Sequence, residues 1–206
     1  MLRADSLACE RGGRPLFARL GFALEPGSLL RVRGANGSGK TSLLRILAGL
    51  TRPAAGEVRW RGEAIGGLDD AYRREMLFIG HAAGVKDDMT VAENLDFACR
   101  LSGATAAGAE IAGALEALGI ARLAPLPARF LSQGQRRRAA LARLALPGAA
   151  PLWLLDEPFA ALDEDGIGRV AALCGAHLAA GGLVVLTSHQ EVPLAAPAAQ
   201  AAELRL

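Results

Sequence analysis

The sequence predicts an α/β fold built on a mainly parallel sheet. Three observations predict it. Short apolar strands alternate with helical segments along most of the chain, the order that crossover helices on a parallel sheet require. Residues 152–155 and 183–186 are unbroken apolar runs, as in strands covered on both faces. A glycine-rich run at residues 34–41 lies between a predicted strand and a predicted helix, where such folds place a ligand.

The elements follow in order. Residues 2–8, 21–24, 29–33 and 57–60 are short segments rich in Leu, Val, Phe and Trp, and they predict strands. Residues 40–50 predict a helix that closes near Arg52-Pro53, and residues 77–80 predict another short strand. Thr90 is an N-cap candidate with Glu93 three residues on, a capping box that opens a helix to about Leu101. Residues 133–146 predict a helix that Pro147 stops, because proline has no amide hydrogen to continue the ladder. The stretch from Val170 to Gln190 has no Asp, Glu, Lys or Arg and is about long enough to span a bilayer. His177, the Gly181-Gly182 break and the polar end Thr187-Ser188-His189-Gln190 predict instead a helix, a glycine turn and a buried strand. Residues 84–146 are almost entirely helical and predict a helical subdomain inserted into one domain that spans 1–206.

Composition narrows the function. With 51% hydrophobic and 21% charged residues, the 206-residue chain can bury a full core, which excludes intrinsic disorder. A net charge of +2 argues against nucleic acid as a partner, and 4% aromatics leave little for base stacking. Arg136-Arg137-Arg138 is accordingly expected to be a solvated helix face. Cys9, Cys99 and Cys174 are far apart with no CxxC spacing, so buried reduced thiols are expected and no zinc ribbon is. Met1–Glu10 carries Arg3 and Asp5 and no apolar segment, so no secretion signal is expected there. His177, in an Ala-rich helix, is expected to pack in the core.

The chemistry sits in two motifs. Gly34-Ala35-Asn36-Gly37-Ser38-Gly39-Lys40-Thr41, followed by Ser42, fits GxxxxGK[ST] in the strand-to-helix context that the motif needs. Its glycines turn backbone amides inward around phosphate oxygens, and the helix N-terminus adds partial positive charge. Lys40 is placed to reach the β- and γ-phosphates, and Thr41 offers a hydroxyl to Mg²⁺, so ATP and Mg²⁺ are the expected cofactors. Only two of the 23 basic residues are lysines, Lys40 and Lys86, which suggests that position 40 needs an ammonium. Asp156 and Glu157 end the apolar run 152–155, which brings two carboxylates to the same sheet edge. Asp156 suits the Mg²⁺ shell, and Glu157 is placed to orient or deprotonate an attacking water.

Leu131-Ser132-Gln133-Gly134-Gln135 then resembles the LSGGQ signature of the ATP-binding subunits of ABC transporters, with Gln133 in place of a glycine. Ala161-Leu162-Asp163 matches that family's D-loop, and His189 matches its switch histidine at the γ-phosphate. The resemblance covers essentially the whole chain. It implies a P-loop NTPase of ABC type with an N-terminal antiparallel β-layer on the parallel core. It also implies a head-to-tail, ATP-dependent homodimer, in which each signature contacts the ATP of the opposing subunit. Separate integral membrane subunits would do the transport, with the chain peripheral on the cytoplasmic face of the inner membrane.

Two positions depart from that family. His81 stands where a glutamine usually faces Mg²⁺ and the attacking water, and residues 9–14 lack the usual adenine-stacking aromatic, leaving Arg11. These departures, the short length and the Arg137-Arg138 continuation resemble the branch that serves cytochrome c maturation, which implies haem as an indirect cargo. An ABC exporter for another cargo is the alternative. A soluble ABC ATPase on DNA or ribosomes would need a long insertion or tandem domains, and the intact set Lys40, Asp156, Glu157 and His189 argues against a non-hydrolysing module.

Overall fold

Strands β1 (Leu2–Arg11) and β2 (Arg14–Leu24) form a long hairpin, and β3 (Leu29–Arg33) leads into α1 (Lys40–Leu47). β4 (Ala55–Trp60) and the short β5 (Glu63–Ala64) follow, then α2 (Asp70–Arg74) and β6 (Met76–Ile79). Helices α3 (Val91–Leu101), α4 (Gly108–Ala117) and α5 (Gln133–Leu141) come next, before β7 (Leu152–Leu155). α6 (Glu164–Ala179), β8 (Leu183–Thr187) and β9 (Ala201–Arg205) complete the order. This computed structural model describes residues 1–67, 70–148, 150–189, 192, 194 and 201–206; Gln190 lies outside them.

Among the described residues the strands make two sheets. β6-β7-β8-β3-β9 pair in parallel throughout, and β2-β1-β4-β5 pair antiparallel. Every residue of β7 and β8 is buried, as their apolar runs require. The pleat sends alternate residues to opposite faces. Leu152, Leu154, Leu183 and Val185 join a core shared with α1 and the antiparallel sheet. Trp153, Leu155, Val184 and Leu186 join a second core, shared with α3, α4, α5 and α6. Each fully buried Leu or Val contributes roughly 1.5–3 kcal/mol relative to leaving it in water.

Several boundaries differ from the expected ones for local reasons. The first hairpin is longer than predicted because Gly12 and Gly13, at φ 58° and 74°, form a tight two-residue turn. Its flanking residues are exposed, so no apolar pattern marked them. The helix after the glycine-rich run ends at Leu47, and Gly49 turns the chain at φ 67°. The helix predicted over 133–146 is α-helical only to Leu141 and tightens into a 3-10 turn at Ala142–Ala145. The capping box forms as expected, Thr90 Oγ1 accepting from the Glu93 amide and the Glu93 carboxylate accepting from the Thr90 amide.

The expected helix, glycine turn and strand are all present in the charge-free stretch. α6 ends at Ala179, Gly181 turns at φ 86° and β8 begins at Leu183. Among the described residues no helix is long and apolar enough to cross a membrane. Cys9, Cys99 and Cys174 are free and buried. His177 packs flat on Trp153, ring centroids 3.8 Å apart, with Nε2 3.2 Å from the Pro151 carbonyl. Burial holds its pKa below the usual histidine value. A side chain at Gly182 would run into that imidazole, since a Cβ there would lie 2.2 Å from Nε2.

Candidate nucleotide site

The glycine-rich run leaves the C-terminal end of β3 and enters α1 through Gly39, whose φ of 107° suits glycine. A Cβ at Gly39 would press Phe17 Cδ1 at 3.1 Å and Leu16 Cβ at 3.2 Å, so the loop lies against β2. No side chain caps α1. Its first amides therefore remain available to an anion. Lys40 is buried, and its Nζ donates to the Gly34 carbonyl at 2.8 Å and the Ala35 carbonyl at 3.1 Å. Ser38 Oγ is buried without a hydrogen-bond partner, an unsatisfied group of the kind that marks a ligand site.

β7 delivers the carboxylates to the same edge. Asp156 is 1% exposed. Its Oδ2 accepts from Thr41 Oγ1 at 2.9 Å and its Oδ1 accepts from Thr187 Oγ1 at 2.7 Å. Thr187 Oγ1 in turn accepts from the Glu157 amide at 2.8 Å. Glu157 sits in the left-handed region at φ 51°, which turns its side chain out of the strand direction. Its Oε1 is buried without a hydrogen-bond partner and lies 3.4 Å from His189 Nε2.

Thr187 therefore fixes both acids. Thr187→Val keeps the shape but leaves the part-buried Glu157 amide without this partner and removes one of the donors to Asp156. Each group left unpaired costs roughly 1–3 kcal/mol, so losing both bonds should cost about 2–6 kcal/mol of stability. Thermal or urea unfolding checks this, and an unchanged midpoint would refute it.

A cavity of about 480 Å³ gathers Asn36, Lys40, Thr41, His81, Glu157 and His189, with Arg11 and Leu16 among its other lining residues. Gly37, Gly39 and Ser42 line it as well. A neighbouring cleft of about 430 Å³ holds Thr41, His81 and Asp156. Most of the sequence-predicted loop, the carboxylates and both histidines thus converge, while Gly34, Ala35 and Ser38 line neither cavity. Neither cavity includes any of Leu131, Ser132, Gln133, Gly134 or Gln135. Leu131 is buried, and Ser132 and Gln133 are exposed at the start of α5, where Ser132 Oγ accepts from the Gln135 amide at 3.3 Å and the Gln135 side chain accepts from the Ser132 amide at 3.0 Å. A Cβ on Gly134 would lie 2.6 Å from the Ala161 carbonyl oxygen, so the signature packs on the segment before Asp163. Asp163 caps α6; the Gly166 amide and then Arg138 hold its pKa below the usual carboxylate value.

Sequence reasoning misjudged the arginines and missed Thr187. Arg137 and Arg138 are 5% and 8% exposed, so the run is not a solvated face. Arg138 donates to the Leu118 carbonyl at 2.9 Å and to Asp165 Oδ2 at 2.8 Å, and it pairs with Asp163. Three consecutive helical residues fan over about 200° of the circumference, so they cannot share one outward face. That geometry was the available signal.

The model of the ABC transporter family matches residues 17–160, and the chain belongs to that family as an ATP-binding cassette. It is similar over nearly its full length to relatives named cytochrome c biogenesis ATP-binding export protein CcmA. The one from Aromatoleum aromaticum is 49% identical over 96% of this chain and 92% of its own. The one from Methylococcus capsulatus is 52% identical over 91% and 90%. Among solved structures, a putative ABC transporter ATP-binding protein from Pyrococcus furiosus superposes with a TM-score of 0.83 at 27% identity, covering 100% of this chain and 96% of its own. The dimeric bacterial ABC transporter cassette MJ0796 gives 0.78 at 26% identity, over 92% and 88%. An ABC cassette binds ATP and has ATPase activity, and the chain is such a subunit of a transporter.

Proposed function

We propose that this cassette, a single unit over 1–206 with a helical insertion at about 84–146, hydrolyses ATP to drive haem export, or release of a loaded haem carrier, in cytochrome c biogenesis. The observation that carries the ATPase reading is the convergence of Lys40, Thr41, Glu157 and His189 on one cavity. The near-full-length identity to CcmA proteins carries the biological role. The test is whether loss of the chain removes covalent haem from membrane cytochromes.

Lys40 exchanges the carbonyls of Gly34 and Ala35 for β- and γ-phosphate oxygens, and the amides of residues 34–42 surround the phosphates. Thr41 Oγ1 and Asp156 Oδ2 would hold Mg²⁺, which neutralises charge on the transferring phosphoryl group. Among the described residues no cluster of three His, Cys, Asp or Glu groups is present, and Mg²⁺ at nucleotides commonly takes one or two carboxylates with waters and phosphates. Water attacks the γ-phosphorus, its proton passes to Glu157, and the bond to the bridging oxygen breaks as ADP leaves. His189 contacts the γ-phosphate. Placement and charge stabilisation supply most of the rate. Arg11 lies in the same cavity and offers a guanidinium plane to the base where an aromatic is absent.

The signature at 131–135, exposed at Ser132 and Gln133, and Asp163 complete the site of a second copy arranged head to tail. The similar cassette MJ0796 is dimeric, which supports pairing of two copies. Integral membrane subunits carry the cargo, and the cassette works peripherally on the cytoplasmic face of the inner membrane.

His81 lines the cavity where it can hold one water or Mg²⁺ ligand by a single hydrogen bond. His81→Gln should therefore keep ATPase activity within about tenfold, and His81→Ala should lose more. Phosphate-release rates decide, and equal rates for His, Gln and Ala would remove His81 from the site.

A further inference from the structure

Arg137 carries an arrangement that the hydrolysis chemistry leaves unexplained. It is 5% exposed, yet its polar atoms contact no carboxylate side chain. Nη1 donates to the Gly80 carbonyl at 2.8 Å, and Nη2 donates to the carbonyls of Asp156 at 2.6 Å and Glu157 at 2.9 Å. Nε is buried without a partner. A buried cation satisfied by backbone oxygens is a costly way to fill space. Burial pulls its pKa below the usual arginine value, while the charges of Asp156 and Glu157 oppose that shift.

What the guanidinium does is join three pieces. Gly80 follows β6 and precedes His81; Asp156 and Glu157 follow β7. Arg137 itself belongs to α5, which starts at Gln133 behind the N-cap Ser132. The planar fork sends Nη1 to one strand end and Nη2 to the other, a fixed span that the single point of a lysine ammonium does not reproduce. α5 is a helix of nine residues, so a push on its N-terminus moves Arg137 with it.

We propose that Arg137 is a positioning residue that ties the signature helix to the turns bearing His81 and Glu157, so that ATP clamped by the signature at one site of the dimer sets the water-activating groups at the other. This rests on the head-to-tail reading above. In the dimer the signature of a subunit faces one nucleotide while its own Glu157 faces the other, and Arg137 is a hydrogen-bonded bridge between them.

The test uses the full-length chain with Arg137→Lys, and Arg137→Gln as a second variant that keeps a planar amide. The measurements are affinity for a fluorescent ATP analogue, steady-state kcat and KM, the Hill coefficient in ATP, the melting temperature, and ATP-dependent dimerisation in the Glu157→Gln background. Arg137→Lys should bind nucleotide within about threefold of the parent while kcat falls about 10²-fold, the loss expected when reacting groups are misplaced by an ångström. The Hill coefficient should fall to about one, since the coupling between sites is lost. A parental kcat and Hill coefficient overturns the proposal. So does a fall in kcat matched by equal loss of affinity and a lowered melting temperature, because that is a purely structural role. If Glu157→Gln with Arg137 intact stays monomeric in ATP, the head-to-tail reading fails first, and the cross-site role fails with it.

Discussion

Glu157→Gln should bind ATP, stop turning it over and collect as a closed dimer. The substitution is nearly isosteric, and the Glu157 amide stays bonded to Thr187 Oγ1 at 2.8 Å, so the turn keeps its shape. What disappears is the basicity of a carboxylate whose Oε1 is buried with no hydrogen-bond partner, 3.4 Å from His189 Nε2. A positioned base contributes typically 10²–10⁴-fold, so turnover should fall by about that factor. Binding should persist, because Lys40, Thr41 and the α1 amides are untouched. With hydrolysis blocked, the proposed two-nucleotide clamp should stay closed. Gel filtration with and without ATP and a phosphate-release assay measure both effects. Hydrolysis at the parent rate would mean that Glu157 is not the base.

The second large effect is in the cell. A strain lacking this chain should lose covalent haem from its c-type cytochromes, while b-type cytochromes, which hold haem without covalent attachment, should persist. Lys40→Ala should fail to restore the staining. The ammonium is buried and donates to the carbonyls of Gly34 and Ala35. Its removal takes away a charge aimed at the phosphates and leaves two loop carbonyls without that donor. Losing one such contact to the transition state costs about 10²–10³ in rate. Haem staining of denatured membrane proteins reads the outcome, because only covalent haem survives denaturation. Normal staining in the disrupted strain, with no second copy of the gene, would assign the chain to another cargo. Restoration by Lys40→Ala would make it a scaffold rather than a motor.

The parallel core was legible because β7 and β8 are apolar without interruption, and burial on both faces leaves that mark. The placement of the glycine-rich loop beside the carboxylate pair was legible because backbone geometry and charge restrict which residues can stand there. β9 was not legible. Ala201–Arg205 holds its place by backbone pairing with β3, Leu30 opposite Ala202 and Val32 opposite Leu204, and its side chains are mostly exposed. Edge strands of this kind owe little to side-chain pattern. Thr187 was hidden for another reason. A threonine ending a strand looks ordinary until β7 and β8 pair and bring its hydroxyl between Asp156 and the Glu157 amide. Arg137 and Arg138 were misread because the charge of a run was weighed without its angular spread around the helix.

The division of β7 between two cores bears on how this protein can change over generations. Leu152 and Leu154 answer to one set of neighbours, Trp153 and Leu155 to another, and Asp156 and Glu157 follow at once. Inserting or deleting one residue would exchange the two sets and swing the acids to the wrong side of the sheet. The strand is therefore frozen in length, and its four positions drift in two separate neighbourhoods, each accepting a new residue only when its own face makes room. Variation is left to exposed rims such as the outward side chains of β9, where a lineage can alter the surface without disturbing either core.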